Sequence, residues 1–172
     1  MSADGGTGQA AVTVPRSRDL AEFVASYGHD VVPASARERA KLLILDAVGI
    51  ALASTHYDFA HRSLSGIRAM SEGGRCAVIG MGERLPLRDA ILMNGVLVHG
   101  LDYDDTHVAA IIHPTASALP CALGMAEHLS AHGRELLAAY ILGIEVVTRI
   151  GLAAKGEFHH FGFHPTGIAS HF

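Results

Sequence analysis

Apolar positions recur at helical spacing over most of this chain. Leu20, Phe23, Val24 and Tyr27 fall at i, i+3, i+4 and i+7, which predicts an amphipathic helix stopped by Gly28. Pro33 and Ser35, with Glu38 following the serine at capping-box distance, predict the start of a second helix. Its stripe of Ala40, Leu43, Ile44, Ala47, Val48 and Ala51 is joined by Leu42, Leu45, Ile50 and Leu52. Apolarity all round a helix predicts a central, buried one, in which Asp46 would need a hydrogen-bond partner. A third helix fits Phe59 to Met70, ended by Gly73-Gly74, and Cys76 to Gly80 reads as one short strand and a turn. Pro86 opens a fourth helix that delivers the chain to His99. A fifth runs from Pro114 to His132 with Gly133 as its stop, and a sixth from Arg134 to about Lys155 with Glu145 and Arg149 at i, i+4 spacing. Pro165 opens a seventh.

The pattern is mainly α: a helical bundle over residues 16–172 with at most one short β element near residues 75–80, after a disordered leader at residues 1–15. The final GIASHF carries neither a stop signal nor a polar tail, so the expectation is the N-terminal part of a longer protein or a truncated product.

Composition narrows the class. Of 172 residues, 49% are hydrophobic and 17% charged, which implies extensive burial, against a partner or a further part of the same protein. The net charge of −4 gives no basic footprint for nucleic acid. Asp46 and the His56–Asp58 segment bound the longest apolar run, so no membrane span is expected, and the N-terminus lacks a signal-peptide apolar region. Cys76 and Cys121 have no CxxC spacing and are expected to be reduced, buried thiols in a cytoplasmic protein.

The chemistry concentrates in HGLDYDDTHVAAIIHPTAS, from His99 to Ser117. The sequence His-Pro-Thr occurs twice, at His113-Pro114-Thr115 and His164-Pro165-Thr166. Proline suits a first helical position, so each histidine would head a helix, where unpaired N–H groups and roughly half a positive charge make an anion site. Two such starts beside an acidic loop suit a polycarboxylate substrate. The competing reading is a pair of exposed helix caps. Asp102, Asp104 and Asp105 admit three readings: a general acid/base pair, oxygen ligands for a hard cation, or caps of helices and turns. The metal reading lacks a second acidic cluster in the sequence.

The runs MNGVLVHGLDYDDTH, HPTASALPCALGMAE, GIEVVTRIG and GFHPTG together resemble the MmgE/PrpD family, over nearly all of residues 19–172. That family includes 2-methylcitrate dehydratase, cis-aconitate decarboxylase and an iminodisuccinate epimerase. The resemblance implies a helical N-terminal domain, followed in full-length members by a smaller α/β lid domain, in a homodimer. It also implies acid/base chemistry on small di- or tricarboxylates, with no metal and no other cofactor. By motif, Asp102 matches the first aspartate of the family's LDxDDT run and Thr106 its threonine. His113 matches the histidine of the following HP, and His164 that of GxHxT. In the family's cis-aconitate decarboxylase those four line the active site. The loop between Thr106 and His113 differs in length and lacks aromatic residues.

The reading that follows is a lyase or isomerase, with proton transfer alpha to a carboxylate. His113, His164 and Asp102 are expected to be catalytic, and Thr106, His99 and Thr166 to bind substrate. The family's active-site lysine lies beyond the last motif, so this stretch alone is expected to be inactive. The alternative is a non-catalytic helical interaction fragment that needs a partner chain or the missing C-terminal part. A DxDD terpene-cyclase reading of Asp102–Asp105 fails for want of an aromatic cavity, since the chain has no Trp and 6% aromatics.

Overall fold

The computed structural model describes residues 15–171, so all but Pro15 of the expected leader lies outside the described residues. These form eight α-helices and one small hairpin: α1 (Arg16–Ser26), α2 (Ala34–Ser54), α3 (Asp58–Arg68), β1 (Cys76–Ala77), β2 (Arg84–Leu85), α4 (Leu87–His99), α5 (Thr115–Leu129), α6 (Gly133–Ala153), α7 (Glu157–His160) and α8 (Pro165–Ala169). The mainly-α class expected from periodicity is the one observed.

The centre is a stack in which α4 lies on α5 and α5 on α6, with α2 crossing all three. Small residues permit the crossing. Ala47 and Ala51 of α2 are buried in the main core with Met93, Leu97, Leu119 and Tyr140. The buried Ser54, Asn94 and Thr115 side chains of this core are paired, as burial demands. Ser54 Oγ donates to Leu97 O (2.6 Å), and Thr115 Oγ1 lies 2.7 Å from the Tyr140 hydroxyl. Asn94 of α4 holds the hairpin, accepting from Ile79 N (2.9 Å) and donating to Ala77 O (3.0 Å).

Several expectations are corrected. α2 is not buried all round: Leu42, Leu45 and Leu52 are exposed, Leu45 by 69%, and Asp46 faces solvent beside them without needing a buried partner. Its capping box does not form, because Pro33 takes the N-cap and Ser35 falls inside the first turn. Gly133 does not stop α5. Ser130 does, in a left-handed conformation (φ 54°), and Gly133 opens α6, where Glu135 Oε2 accepts from His132 N (2.7 Å). The strand expected through Gly80 ends at Ala77, where the chain turns back to pair Cys76 with Leu85. Cys121 is exposed rather than buried. α6 is long and apolar enough to cross a membrane, with a mean hydropathy of 1.8, although no such run was expected. Its Glu145 and Arg149 pair at 2.6 Å, and it packs against α2, α5 and α8, as suits a core helix.

A second, smaller core matters more for function. Ala110 and Ile112, from the loop between α4 and α5, pack with Val147 and Ile150 of α6 and Ala169 of α8. Gly151 makes this contact possible, since a Cβ there would lie 2.8 Å from Ala110 Cβ and 3.0 Å from Ala110 O. Helix propensity alone favours Gly151→Ala by about 1 kcal/mol. We expect the opposite sign, a loss of about 1–3 kcal/mol from overpacking, measured by urea denaturation, with amide shifts confined to residues 107–113 and α8.

Candidate active site

α4 ends at His99, and the chain then makes a tight turn in which Asp102 N donates to His99 O (2.9 Å). Asp102 adopts φ 56°, a left-handed conformation that costs energy outside glycine and that clusters at functional sites. The next loop closes on itself: His107 N donates to Ile112 O (2.8 Å), and Ala110 N donates to His107 Nδ1 (3.1 Å). Ile112 is anchored in the second core, so His113 emerges from a fixed point. Its own N–H donates to Thr166 Oγ1 of α8 (2.9 Å), and Ser170 Oγ donates to Ser117 Oγ (3.0 Å). These bonds fasten the start of α5 to α8.

The six expected site residues therefore meet, with Asp104 among them. The rings of His99 and His113 are 5.0 Å apart and those of His99 and His164 are 6.3 Å apart. At the base lies Asp104, whose side chain is fully buried (0% exposed). Its carboxylate oxygens sit 3.0 and 3.2 Å from His99 Nδ1, and Oδ1 is 3.6 Å from His113 Nδ1. His113 Nδ1 also lies 3.3 Å from Asp104 O and 3.4 Å from Thr106 Oγ1. Asp102, by contrast, is 78% exposed and brings Oδ1 to 3.6 Å from His113 Nε2.

These partners assign protons by elimination. The Asp104 carbonyl and carboxylate only accept, so His99 and His113 each carry a proton on Nδ1 and leave Nε2 with a lone pair. His164 is the reverse. Its Nδ1 accepts from Gly167 N (3.0 Å), so in the neutral ring the proton is on Nε2. The site thus presents two imidazoles able to take a proton and one able to give it.

The helix starts differ from expectation. α8 is a single turn of five residues, and the N–H of Gly167 is taken by His164 itself. At α5, Thr115 N donates to Asp105 Oδ1 (3.2 Å). Each helix start thus has one of its N–H groups filled by the protein's own side chain, which weakens the anion-site reading. Thr166 is buried with its hydroxyl engaged by His113, so it positions that histidine from below. Beside His99 an open groove of about 500 Å³ runs between α4 and α5, walled by Ile91, Val96, Ala116 and Pro120.

Residues 18–172 match the sequence profile of the MmgE/PrpD N-terminal domain. The chain belongs to the MmgE/PrpD family. It is similar to the cis-aconitate decarboxylase-like protein oryM of Aspergillus oryzae, at 29% identity over 145 residues, covering 80% of this chain and 30% of that protein. Cis-aconitate decarboxylase of Aspergillus terreus is 27% identical over 144 residues (81% and 29% covered). That of Mus musculus is 34% identical over 144 residues (76% and 28% covered). The chain therefore spans less than a third of the length of these relatives.

Sequence reasoning about this MmgE/PrpD domain left Asp104 out of the expected site residues. Nothing in the spacing of the acidic run separates it from Asp102 and Asp105; the usable signal was His99, a histidine at a helix end just ahead of three carboxylates that cannot all stay unpaired. Asp105 does prove to be a cap. Burial raises its pKa above the ordinary 3.8, hydrogen bonding from Thr115 opposes that, and the nearby Asp104 raises it further. A carboxyl with a raised folded pKa favours the folded state below its unfolded pKa, and that contribution is lost as pH rises through the folded value. Asp105→Asn keeps the acceptor for Thr115 N and removes the charge. Its melting temperature should exceed that of the parent at pH 7, and the advantage should vanish below pH 3.8; an unchanged difference across that range would refute the assignment.

Proposed function

We propose that this is the proton-transfer half of a lyase acting on a small di- or tricarboxylate, with cis-aconitate as the first candidate and decarboxylation as the outcome. The observation that carries the reading is the clustering of His99, His113 and His164 over the buried Asp104. Loss of CO2 from cis-aconitate sends the electron pair of the breaking bond into the shifting double bond and consumes one proton, so there His113 orients the substrate beside the Asp102 carboxylate, 3.6 Å from its Nε2. In dehydration of 2-methylcitrate the same Nε2 takes the proton alpha to a carboxylate. His164 supplies a proton from Nε2, and Thr106 holds His113 in orientation. His99 binds substrate at the mouth of the apolar groove. The relatives named cis-aconitate decarboxylases, at 27% and 34% identity, support the substrate class. In this reading the chemistry needs no metal.

The site is open on one side. Tyr103 (77% exposed) and Val108 (82% exposed) form an apolar rim beside Asp102 and His107. We infer that further residues of a longer protein cover it and that the 172-residue stretch alone turns over little or no substrate. The exposed Leu42, Leu45 and Leu52 of α2 favour a second reading, a non-catalytic helical interaction unit completed by a partner chain or by more of its own chain. In the first reading the same face is covered in a homodimer. Light scattering on the isolated stretch tests the second reading: a well-behaved monomer counts against strong partner dependence.

The activity test uses the protein extended by its downstream residues, incubated with cis-aconitate and 2-methylcitrate. Itaconate and CO2 should form from cis-aconitate, survive a chelator, and fall by about 10²–10⁴-fold in His113→Gln and in His164→Gln. Absence of turnover on either acid would sink the reading. Robust turnover by the 172-residue stretch would sink the inference that its site is incomplete.

A further inference from the structure

We propose that His99, Asp102, Asp104 and His113 form a binding site for a borderline divalent transition ion such as Zn2+ or Co2+, and that the bound ion blocks proton transfer at this site. The metal site stands on geometry alone; only the blocking rests on the catalytic reading above.

One ligand atom from each of the four residues lies within 4.8 Å of the other three. A tetrahedral ion with bonds of about 2.0–2.2 Å needs ligand atoms about 3.3–3.6 Å apart. His113 can give one ion only one nitrogen: with Nδ1 the set contains separations of 3.0 Å (His99–Asp104) and 3.6 Å (His113–Asp104), and with Nε2 it contains 3.0 Å (His99–Asp104) and 3.6 Å (His113–Asp102). The longest must shorten, and the residue best able to move is Asp102, whose side chain is largely in solvent. Asp104 and the two histidines are held by packing and by the bonds already described, so the fixed part of the site is three ligands and the mobile part is one.

Charge points the same way. Among the described residues, every ion pair of Asp102 and Asp104 is with a histidine and none with lysine or arginine. Neutral imidazoles leave two carboxylates facing a shared space, and a divalent cation cancels that charge. The donor set chooses the ion. Two imidazoles with two carboxylates suit Zn2+ and Co2+, whereas Mg2+ and Ca2+ want oxygen ligands only. This mixed set is what the sequence reading missed in looking for a second acidic cluster. Where a ring ligates through Nδ1, its proton moves to Nε2 and the ring stays neutral, so each ligating histidine changes tautomer or gives up its lone pair. Either way His113 can no longer accept a substrate proton.

The test is Co2+ titration of the 172-residue chain, read by visible absorption. The expected result is the intense band pattern of tetrahedral Co2+, saturating at one ion per chain and displaced by Zn2+. Asp102→Asn, an exposed change that spares the fold, should weaken binding by about 100-fold, and His99→Ala should abolish the bands. His164→Gln should retain them while removing activity in the extended protein, which separates this site from the catalytic reading. On the parent chain, with no variant to misfold, Zn2+ should shift the ring nitrogens of His99 and His113 in 15N spectra and leave those of His159 in place. Weak octahedral absorption only, bands that survive His99→Ala, or ring shifts at His159 in place of His99 and His113 would each overturn the proposal. In the extended protein, Zn2+ should raise the apparent KM for cis-aconitate; unchanged kinetics at saturating Zn2+ would overturn the blocking step alone.

Discussion

A carboxylate removed from water inside a helical domain must be met by hydrogen bonds, and at Asp104 they come from histidine. The desolvation of one such ion costs several kcal/mol even after relaxation, while each hydrogen bond involving a charged group returns about 1.5–3 kcal/mol. His99 Nδ1 stands within 3.2 Å of both carboxylate oxygens, and His113 Nδ1 adds a longer contact at 3.6 Å. The bond that stabilises the buried charge therefore fixes the protonation of His99. The Asp104 carbonyl, 3.3 Å from His113 Nδ1, does the same for His113. Structure and candidate chemistry are the same interaction here.

That interaction depends on parts of the chain far apart in sequence. His99 is delivered by the end of α4, Asp104 by the turn that follows, His113 by the start of α5, and the support beneath them by α6 and α8. The second core, Ala110 and Ile112 against Val147 and Ala169, is small, yet it determines where His113 leaves the loop. Gly151 is the point at which α6 yields space for it. A pocket built this way has a rigid floor, with Asp104 and the anchored histidines, and a loose edge at Asp102, Tyr103 and Val108.

Helix positions were legible because the 3.6-residue period survives wherever one face is buried: α3, α4 and α6 fall within a few residues of expectation. Boundaries were less so where two signals competed. Gly133 follows a helix and precedes another, and sequence alone cannot say which it serves; the Glu135 bond to His132 N decides for the second. The depth of α2 was misjudged for a different reason. Periodicity reports what could be buried, and Leu42, Leu45 and Leu52 remain exposed among the described residues. In the site, the motif residues Asp102, Thr106, His113 and His164 lie in one cluster. The motif could not rank the three aspartates, because rank follows from burial. Burial at Asp104 is set by packing contributed from elsewhere in the fold.

The contrast between the two His-Pro-Thr segments shows how far a repeated motif constrains chemistry. Both place proline at a helix start and a histidine ahead of it, and on sequence they are equivalent. In the fold they receive opposite partners: His164 Nδ1 accepts from a backbone N–H, whereas His113 Nδ1 faces a carbonyl and a hydroxyl. One ring is left able to give a proton from Nε2 and the other to take one there. In the proposed function an acid and a base are thus made from the same three residues, with no difference in residue type between them. What distinguishes them is the loop before each, closed over Ile112 in one case and entering a single helical turn in the other. The lone pair that makes His113 a base is also what a transition ion would coordinate. Proton transfer and metal binding at this cluster therefore compete for the same electrons.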